Sequence, residues 1–404
     1  MKKLLPFLFA LLAIINHTAT AQCNNCTSTL SGTSILPIDL IVDSNEVYCI
    51  QTNGSLNRGL HIKGGIVCNN GTINSLKSIQ DGGILINNGT INMESGNVSL
   101  LKGKLINNGI VKIDYINICE SDFINNNIAE IRRIFINISG NNNHVINNGV
   151  IDGESIQSIT KDLNYKYHFT NSGSIYVTTH LRNSSSMTFE NQGYLSIGDQ
   201  DEVNFQNQTG SSFINTGEMN VEGDFYNHGD FYTDCMIEIG GDFTSHGNVS
   251  GPSQNSCGGF NVMGNTQIGS NIAADDSYID ICDAGMPSNG VDQNFQATIG
   301  NNVTNCSCND ECTQPEVFED FVSTNDYTVT PNPISDNSVI SFYNPVASYH
   351  QLMIFDTYGR VVKTFEGIVG NEIPIDRAGL DRGIYFFKIT SSYNVKAAGK
   401  LVIN

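Results

Sequence analysis

Tryptophan is absent from the 404 residues, charge is scarce, and positive charge is scarcer still. Asp, Glu, Lys and Arg together make up 15% of the chain, against about a quarter in ordinary soluble domains. A helical bundle needs Ala, Leu, Glu and Lys in bulk, so the composition argues against one. It argues equally against a charged disordered chain, because Ile, Val, Leu and Phe remain plentiful and regularly placed. Only 20 Lys and Arg stand against 40 Asp and Glu, a formal net charge of −20. Proteins hold nucleic acid through basic patches, so nucleic acid is not an expected partner. After Ile15 no stretch is apolar for long enough to cross a bilayer as a helix, so no transmembrane span is expected.

What is present begins with an address. Met1-Lys2-Lys3 precedes the apolar run Leu4–Ile15, and Ala19-Thr20-Ala21 supplies small residues for cleavage. This is the pattern of a secretory signal, with Ala21 and Gln22 flanking the cut. Cysteine usage agrees with export, since the 11 cysteines suit an oxidising compartment and are expected as disulfides. Cys23-x-x-Cys26 and Cys306-x-Cys308-x-x-x-Cys312 have spacings that a zinc site could share. Cys68 occupies a position that Ile fills elsewhere, so it reads as a small core residue. An odd count leaves at least one thiol unpaired within the chain.

The dominant signal is self-similarity. Val67-Cys68-Asn69-Asn70-Gly71-Thr72-Ile73 returns as Leu85-Ile86-Asn87-Asn88-Gly89-Thr90-Ile91 and Leu105-Ile106-Asn107-Asn108-Gly109-Ile110-Val111, and degenerates slowly to Phe243-Thr244-Ser245-His246-Gly247-Asn248-Val249. The glycine position falls at 71, 89, 109, 127 (Asn), 149, 173, 193, 217, 229 and 247. Apolar residues two apart on either side of the bend mark strands with one buried face. The glycine suggests a positive φ, and the Asn two places earlier would stack on its equivalents as a hydrogen-bonded amide ladder. Repeats that cannot bury their own apolar face must stack, which makes a parallel β-helix, or solenoid. Antiparallel hairpins with Asn-Gly turns are the competing reading. About ten coils at ~4.8 Å per strand would give a rod on the order of 50 Å long. The 12-residue step from Gly217 to Gly229 is too short for a whole coil, so a truncated coil, or one shared with Gly210, is expected there.

Two features break the monotony. Asp224 and Asp242 occupy the same place one 18-residue step apart, as do His228 and His246. Carboxylates stacked at strand spacing repel unless a cation or proton is shared, so the pair is a candidate Ca²⁺ site, with a solvated turn as the alternative. No other cofactor is expected. Residues 257–318 are polar and carry cysteines, and read as a cap and linker with Cys282–Cys306 a candidate disulfide. Residues 22–60 would cap the other end of repeats running over 61–256, after a signal at 1–21.

Beyond the acidic stretch 316–321 the chain becomes a small β domain, with alternating segments separated by turn residues. Pro331-Asn332-Pro333 opens it, Phe355-Asp356-Thr357-Tyr358-Gly359-Arg360-Val361 carries a turn, Leu380-Asp381-Arg382-Gly383-Ile384-Tyr385 leads a strand, and Lys400-Leu401-Val402-Ile403 closes it. In order, spacing and position this segment resembles the type A C-terminal sorting domain of type IX secretion system cargo in Bacteroidetes. The resemblance implies an Ig-like β-sandwich over 319–404, with Pro331, Asn332, Pro333, Asp356, Gly359, Arg360, Gly383, Tyr385 and Lys400 as its motif residues. It further implies recognition by the translocon and sorting machinery, then release or anchoring at the cell surface by way of the periplasm. The remainder resembles Asn/Gly-rich β-helix surface proteins.

The expected fold is therefore all-β, a parallel β-helix passenger followed by a small sandwich. A non-enzymatic passenger is expected (adhesion, scaffold or glycan binding). The alternative is a carbohydrate-active β-helix enzyme, which would need clustered carboxylates. Asp275-Asp276 resembles half of such a set, but its partner motifs are missing.

Overall fold

A computed structural model describes residues 23–403 except residue 24 and stretches 35–37, 139–142, 161–164, 185, 199–202, 254–257, 274–276, 285–292, 295–297, 308–326, 335–337, 343–348, 356–360, 370–371, 376, 378–379, 381 and 391–394. The described elements are all β. Two compact units divide the chain, residues 1–314 and 315–404.

The first unit is a solenoid. One face is a 12-stranded parallel sheet that begins at Ser28–Leu30 and ends at Val249–Ser250. Its strands pair only with the same segment of the coil before and after, so Leu85 sits over Val67 and under Leu105. Two further parallel faces complete each coil, as Glu218–Val221 pairs with Met236–Ile239 and Asp224–Asn227 with Phe243–Ser245. The named strands of the solenoid pair in parallel from coil to coil, which rules out the hairpin alternative.

Each strand alternates inward and outward, and the inward residues make one continuous core. Toward the C-terminal coils the core turns aromatic. Phe169, Phe189, Phe213 and Phe231 form a column with ring centroids 4.4, 4.9 and 5.3 Å apart. Rings in such offset stacks add to the burial of their area.

The inward positions reveal a shorter period inside the coil. Phe213, Met219, Phe225, Phe231, Ile237, Phe243 and Val249 lie six residues apart, and each is at most 2% exposed. Six residues make one face and its corner, so 18 make a coil. This corrects the truncated-coil reading of the 12-residue step and leaves Gly210 and Gly217 in one coil, on either side of Ser212–Asn215. Asn215 and Asn227 are not successive copies of one corner but two different corners, two-thirds of a coil apart. Asn215 follows Asn191, and Asn227 follows Asn207. The 12-residue step therefore involves no truncated coil.

The repeat glycine also needs a different explanation. Among the described residues of the solenoid the glycines with positive φ are Gly32, Gly64, Gly82, Gly198 and Gly210, none of them a repeat glycine. What the repeat position requires is close approach. A Cβ on Gly89 would lie 2.1 Å from the carbonyl oxygen of Gly71, and the same 2.1 Å recurs for Gly109 over Gly89 and Gly193 over Gly173. Asn127, which does carry a Cβ, stretches the step beneath it. The Ile128 N–H reaches the Gly109 carbonyl at 3.3 Å, where Thr90 reaches Gly71 at 2.8 Å. Left-handed residues occur instead at another corner, where Asp81, Lys102 and Glu120 have φ of 55°, 56° and 48°.

Disulfides pin both ends. Cys23 bonds Cys68 and Cys26 bonds Cys49, which fastens the first described residues to the outer surface of the 12-stranded face. Cys68 is thus a covalent partner, not a core filler. It points outward beside Cys49, Ile86, Ile106 and Ile124 in an apolar cluster separate from the main core. Cys282 bonds Cys306 in the last coils.

The second unit holds two antiparallel sheets. Tyr327–Thr330, Ser338–Phe342 and Glu372–Ile375 form one, and Val361–Val369, Tyr349–Phe355, Gly383–Thr390 and Val395–Ile403 the other. Ile340, Phe342, Ile373 and Ile375 of the first share one apolar cluster with Leu352, Ile354, Phe387, Ile389 and Leu401 of the second.

Candidate functional site

The recurrent Asn builds the spine of the solenoid. Asn69 Nδ2 donates to Asn87 Oδ1 at 2.7 Å, Asn87 to Asn107 at 2.7 Å and Asn107 to Asn125 at 2.8 Å. The chain continues through Asn147, Asn171, Asn191 and Asn215. All are fully buried. From Asn69 to Asn191 each amide also donates to a carbonyl of the next coil, as Asn107 does to Ile128 at 2.9 Å. A second buried ladder, Asn183–Asn207–Asn227–Ser245, runs up a different corner of the later coils.

A third ladder lies outside the first. Asn88 donates to Asn70 and Asn108 to Asn88 at 3.0 Å, while Asn126 donates to Asn108 and Asn148 to Asn126 at 2.8 Å. It points back toward the preceding coil, whereas the inner ladder points forward. The sequence reading assigns these residues no ladder of their own. Their unbroken recurrence beside the inner Asn was the available signal.

Many charged side chains also bridge coils. Lys112 meets Glu130 at 2.8 Å and Lys104 meets Asp122 at 3.3 Å, while Arg132 joins Asp114 below to Glu154 above. Burial pushes the Asp122 carboxyl up, but hydrogen bonds from His144 and Lys104 and their charges hold it below its ordinary value. The Arg132 hydrogen bond likewise holds Asp114 low.

Asp224 and Asp242 stack one coil apart beside the Phe225–Phe243 pair. Asp224 Oδ1 accepts the Asp242 N–H at 2.8 Å, and Asp242 Oδ1 accepts the Asn265 N–H at 2.7 Å. One oxygen of each carboxylate, expected to face a cation, therefore holds the backbone of the following coil. Among the described residues no group of three or more His, Cys, Asp or Glu side chains gathers as a metal site.

His228 and His246 do come together, with ring centroids 5.2 Å apart. Partial burial and the neighbouring His246 lower the pKa of His228. The rings border a hollow of about 250 Å³ with Thr209, Ser270, Asp230 and Asn248. Asp230 and Asn248 also line a neighbouring hollow of about 340 Å³, whose other walls include Ser212, Ile214, Tyr232, Ser250 and Asn271. The two share a polar column in which Asn248 Nδ2 donates to Asp230 Oδ1 at 2.9 Å and Asn271 Nδ2 to Asn248 Oδ1 at 3.4 Å. Burial, then Asp234, raises the pKa of Tyr232. No Lys or Arg lines either hollow. Sequence reasoning found the histidine pair through its 18-residue step, but missed Asp230, Tyr232 and Asn248. Their contribution depends on the six-residue period that puts them on one face.

In the tail, the Pro331-Asn332-Pro333 opening is clipped to the last strand. Asn332 Oδ1 accepts the Val402 N–H at 3.0 Å, its Nδ2 donates to the Lys400 carbonyl at 3.4 Å, and the Ile334 N–H donates to Val402 at 2.7 Å. Pro331 and Pro333 offer no N–H, so the Asn side chain supplies the pairing the backbone cannot. Tyr385 is buried in the shared core, while Gly383 and Lys400 are exposed. Asp356, Gly359 and Arg360 lie outside the described residues, as do Ala21, Gln22, Asp275 and Asp276.

Residues 328–404 match the family described as the secretion system C-terminal sorting domain. No curated protein matches the chain. The match to the tail implies delivery by the type IX secretion machinery, and so release from the cell or display on its outer surface.

Proposed function

We propose that the chain is a non-enzymatic surface or secreted protein, carried across the inner membrane by its signal peptide and across the outer membrane by its sorting tail. The solenoid is the cargo and acts as a rigid adhesive or scaffolding element. The observation that supports this most is where its polar side chains go. Buried amides run from coil to coil from Asn69 to Asn215, and ion pairs such as Lys112–Glu130 also join coils. A buried amide bonded to its own neighbours stiffens the rod and is not offered to a substrate. Glycoside hydrolysis canonically needs two carboxyl groups flanking a sugar bond. Among the described residues Asp230 is the one carboxylate lining the two hollows, and its neighbours there are amides, hydroxyls and imidazoles.

Expression in a host with a working type IX system tests the proposal. The full chain should reach the medium or become accessible to surface protease, and a chain truncated after residue 327 should stay in the periplasm. Equal export of both forms would overturn the delivery reading. Release of reducing ends or unsaturated products from polysaccharide would overturn the non-enzymatic one.

A further inference from the structure

The geometry points to a binding groove for an uncharged carbohydrate chain, running from the His228–His246 corner to Tyr232 across the late coils. It deepens the reading of the solenoid as an adhesive surface protein and rests on it.

The backbone prepares the place. In early coils the corner that precedes the 12-stranded face turns through left-handed residues with charged side chains, Asp81, Lys102 and Glu120. In late coils the same corner becomes Asn227-His228-Gly229 and Ser245-His246-Gly247, drawn in tightly by the second amide ladder. The glycines must be bare, since a Cβ on Gly247 would stand 2.0 Å from the Gly229 carbonyl. At the next coil Gly269 leaves space for the His246 ring, because a Cβ there would lie 2.2 Å from Nδ1. Removing side chains at this corner leaves a hollow where the early coils have charged ones.

The lining selects the ligand class. With no Lys or Arg in the walls and Asp230 exposed within them, an anionic chain meets repulsion and finds no counter-charge. Asp230, Asn248 and Asn271 form an outward column at successive coils, so acceptors and donors recur at about the strand spacing of ~4.8 Å. Beside this column Ile214 and Tyr232 present half-buried apolar surface. A ligand that suits both must carry hydroxyls on its rim and C–H groups on its faces, spaced along a chain, and sugars do. The carboxylate of Asp230 takes a charge-assisted bond from a hydroxyl. A neutral imidazole both donates and accepts, and partial burial, then the neighbouring ring, favours that form at His228. The Tyr232 ring offers its face to a pyranose C–H surface, as aromatic walls of such sites do.

Affinity electrophoresis of the full chain through gels containing laminarin, xyloglucan or galactomannan tests this, with polygalacturonate as the anionic probe. At least one neutral glycan should retard the protein, and polygalacturonate should not. Tyr232→Ala and Asn248→Ala should each weaken the retarding glycan by about tenfold or more, with unchanged melting temperature. Gly269→Ala, which displaces the His246 ring, should weaken it as well. Tyr176→Ala, on another face, should leave binding intact. Failure of all three neutral glycans, binding unchanged in Tyr232→Ala and Asn248→Ala, or a preference for polygalacturonate would each overturn the proposal. None of these outcomes touches export, which the secretion assay reads separately.

Discussion

Replacing Asn107 by Ala is expected to harm the solenoid far more than replacing Asn108, although the two are adjacent amides in the same coil. Asn107 Oδ1 receives the Asn87 amide at 2.7 Å and the Gly109 N–H at 3.2 Å, and its Nδ2 donates to Asn125 at 2.8 Å and Ile128 at 2.9 Å. Its side chain is fully buried, so no water replaces it. The Ala variant strands the Gly109 N–H and the Asn125 Oδ1. Each buried orphan costs about 1–3 kcal/mol, so the loss should be about 2–6 kcal/mol. Asn87 Nδ2 keeps its bond to the Ile110 carbonyl at 3.1 Å, which limits the damage on that side. Asn108 also joins two neighbours, at 3.0 and 2.8 Å, but both bonds are exposed and water takes them over. Its loss should cost about 0.5 kcal/mol or less. Urea denaturation of the full chain followed by circular dichroism measures both, with the midpoint change read at constant m. Equal midpoint shifts for the two variants would refute the assignment of an inner and an outer ladder.

Other expectations follow from single contacts. Gly89→Ala should force the step beneath it to stretch, as it does beneath Asn127, and should cost more than Gly82→Ala, which, with φ of 85° and nothing within 4 Å of its new Cβ, should cost only about 1–2 kcal/mol of left-handed strain; thermal melts distinguish them. Asp242→Ala should destabilise by only about 0.5–1 kcal/mol, because the Asn265 N–H it leaves is exposed and water takes it over, while Asp242→Asn, which keeps an acceptor, should be nearly neutral with or without calcium; a calcium-dependent rise in melting temperature lost in Asp242→Asn would instead establish a cation site. Reducing Cys23–Cys68 and Cys26–Cys49, whose partners are 45 and 23 residues apart, should remove about 3–4 kcal/mol each by the chain-entropy account, measurable as a lower urea midpoint in dithiothreitol. Acid should destabilise in two windows. The lowered pKa of His228 means the unfolded chain takes up its proton first, so stability falls as pH drops below the usual histidine value of about 6.5. The lowered pKa of Asp122 has the same sign, and its contribution fades below about pH 4, where unfolded carboxyls protonate. A flat stability profile from pH 7 to 5 in wild type, unchanged in His228→Gln, would contradict the first.

The solenoid was legible because burial and hydrogen bonding act on the same residue at the same offset. An Asn that must lie in a buried ladder cannot drift, so Asn69, Asn87 and Asn107 announce themselves even where the apolar residues around them vary. The six-residue period was harder to see, because in the early coils only one corner carries the Asn-x-Gly signature and the other two turn by different means. Where a second corner adopts that signature, the copies interleave, and the step from Gly217 to Gly229 looks like a missing piece. Glycine misled for a related reason. A position that needs positive φ and one that needs a bare Cα have the same letter, and only the carbonyl 2.1 Å from the absent Cβ of Gly89 separates them. Cys68 misled because its partner comes from a segment outside the repeat, and a repeat pattern holds no information about what folds back onto it. The groove suffers from this most. His228, Asp230 and Tyr232 sit on one short stretch, but Asn248 and Asn271 join them from the next two coils. A site assembled across coils becomes readable only after the number of residues per coil is known at that point in the chain. Here that number changes, with steps of 24 residues from Asn191 to Asn215 and 18 from Asn227 to Ser245. In a solenoid the fold therefore has to be read before any surface site can be, because register decides which side chains are neighbours.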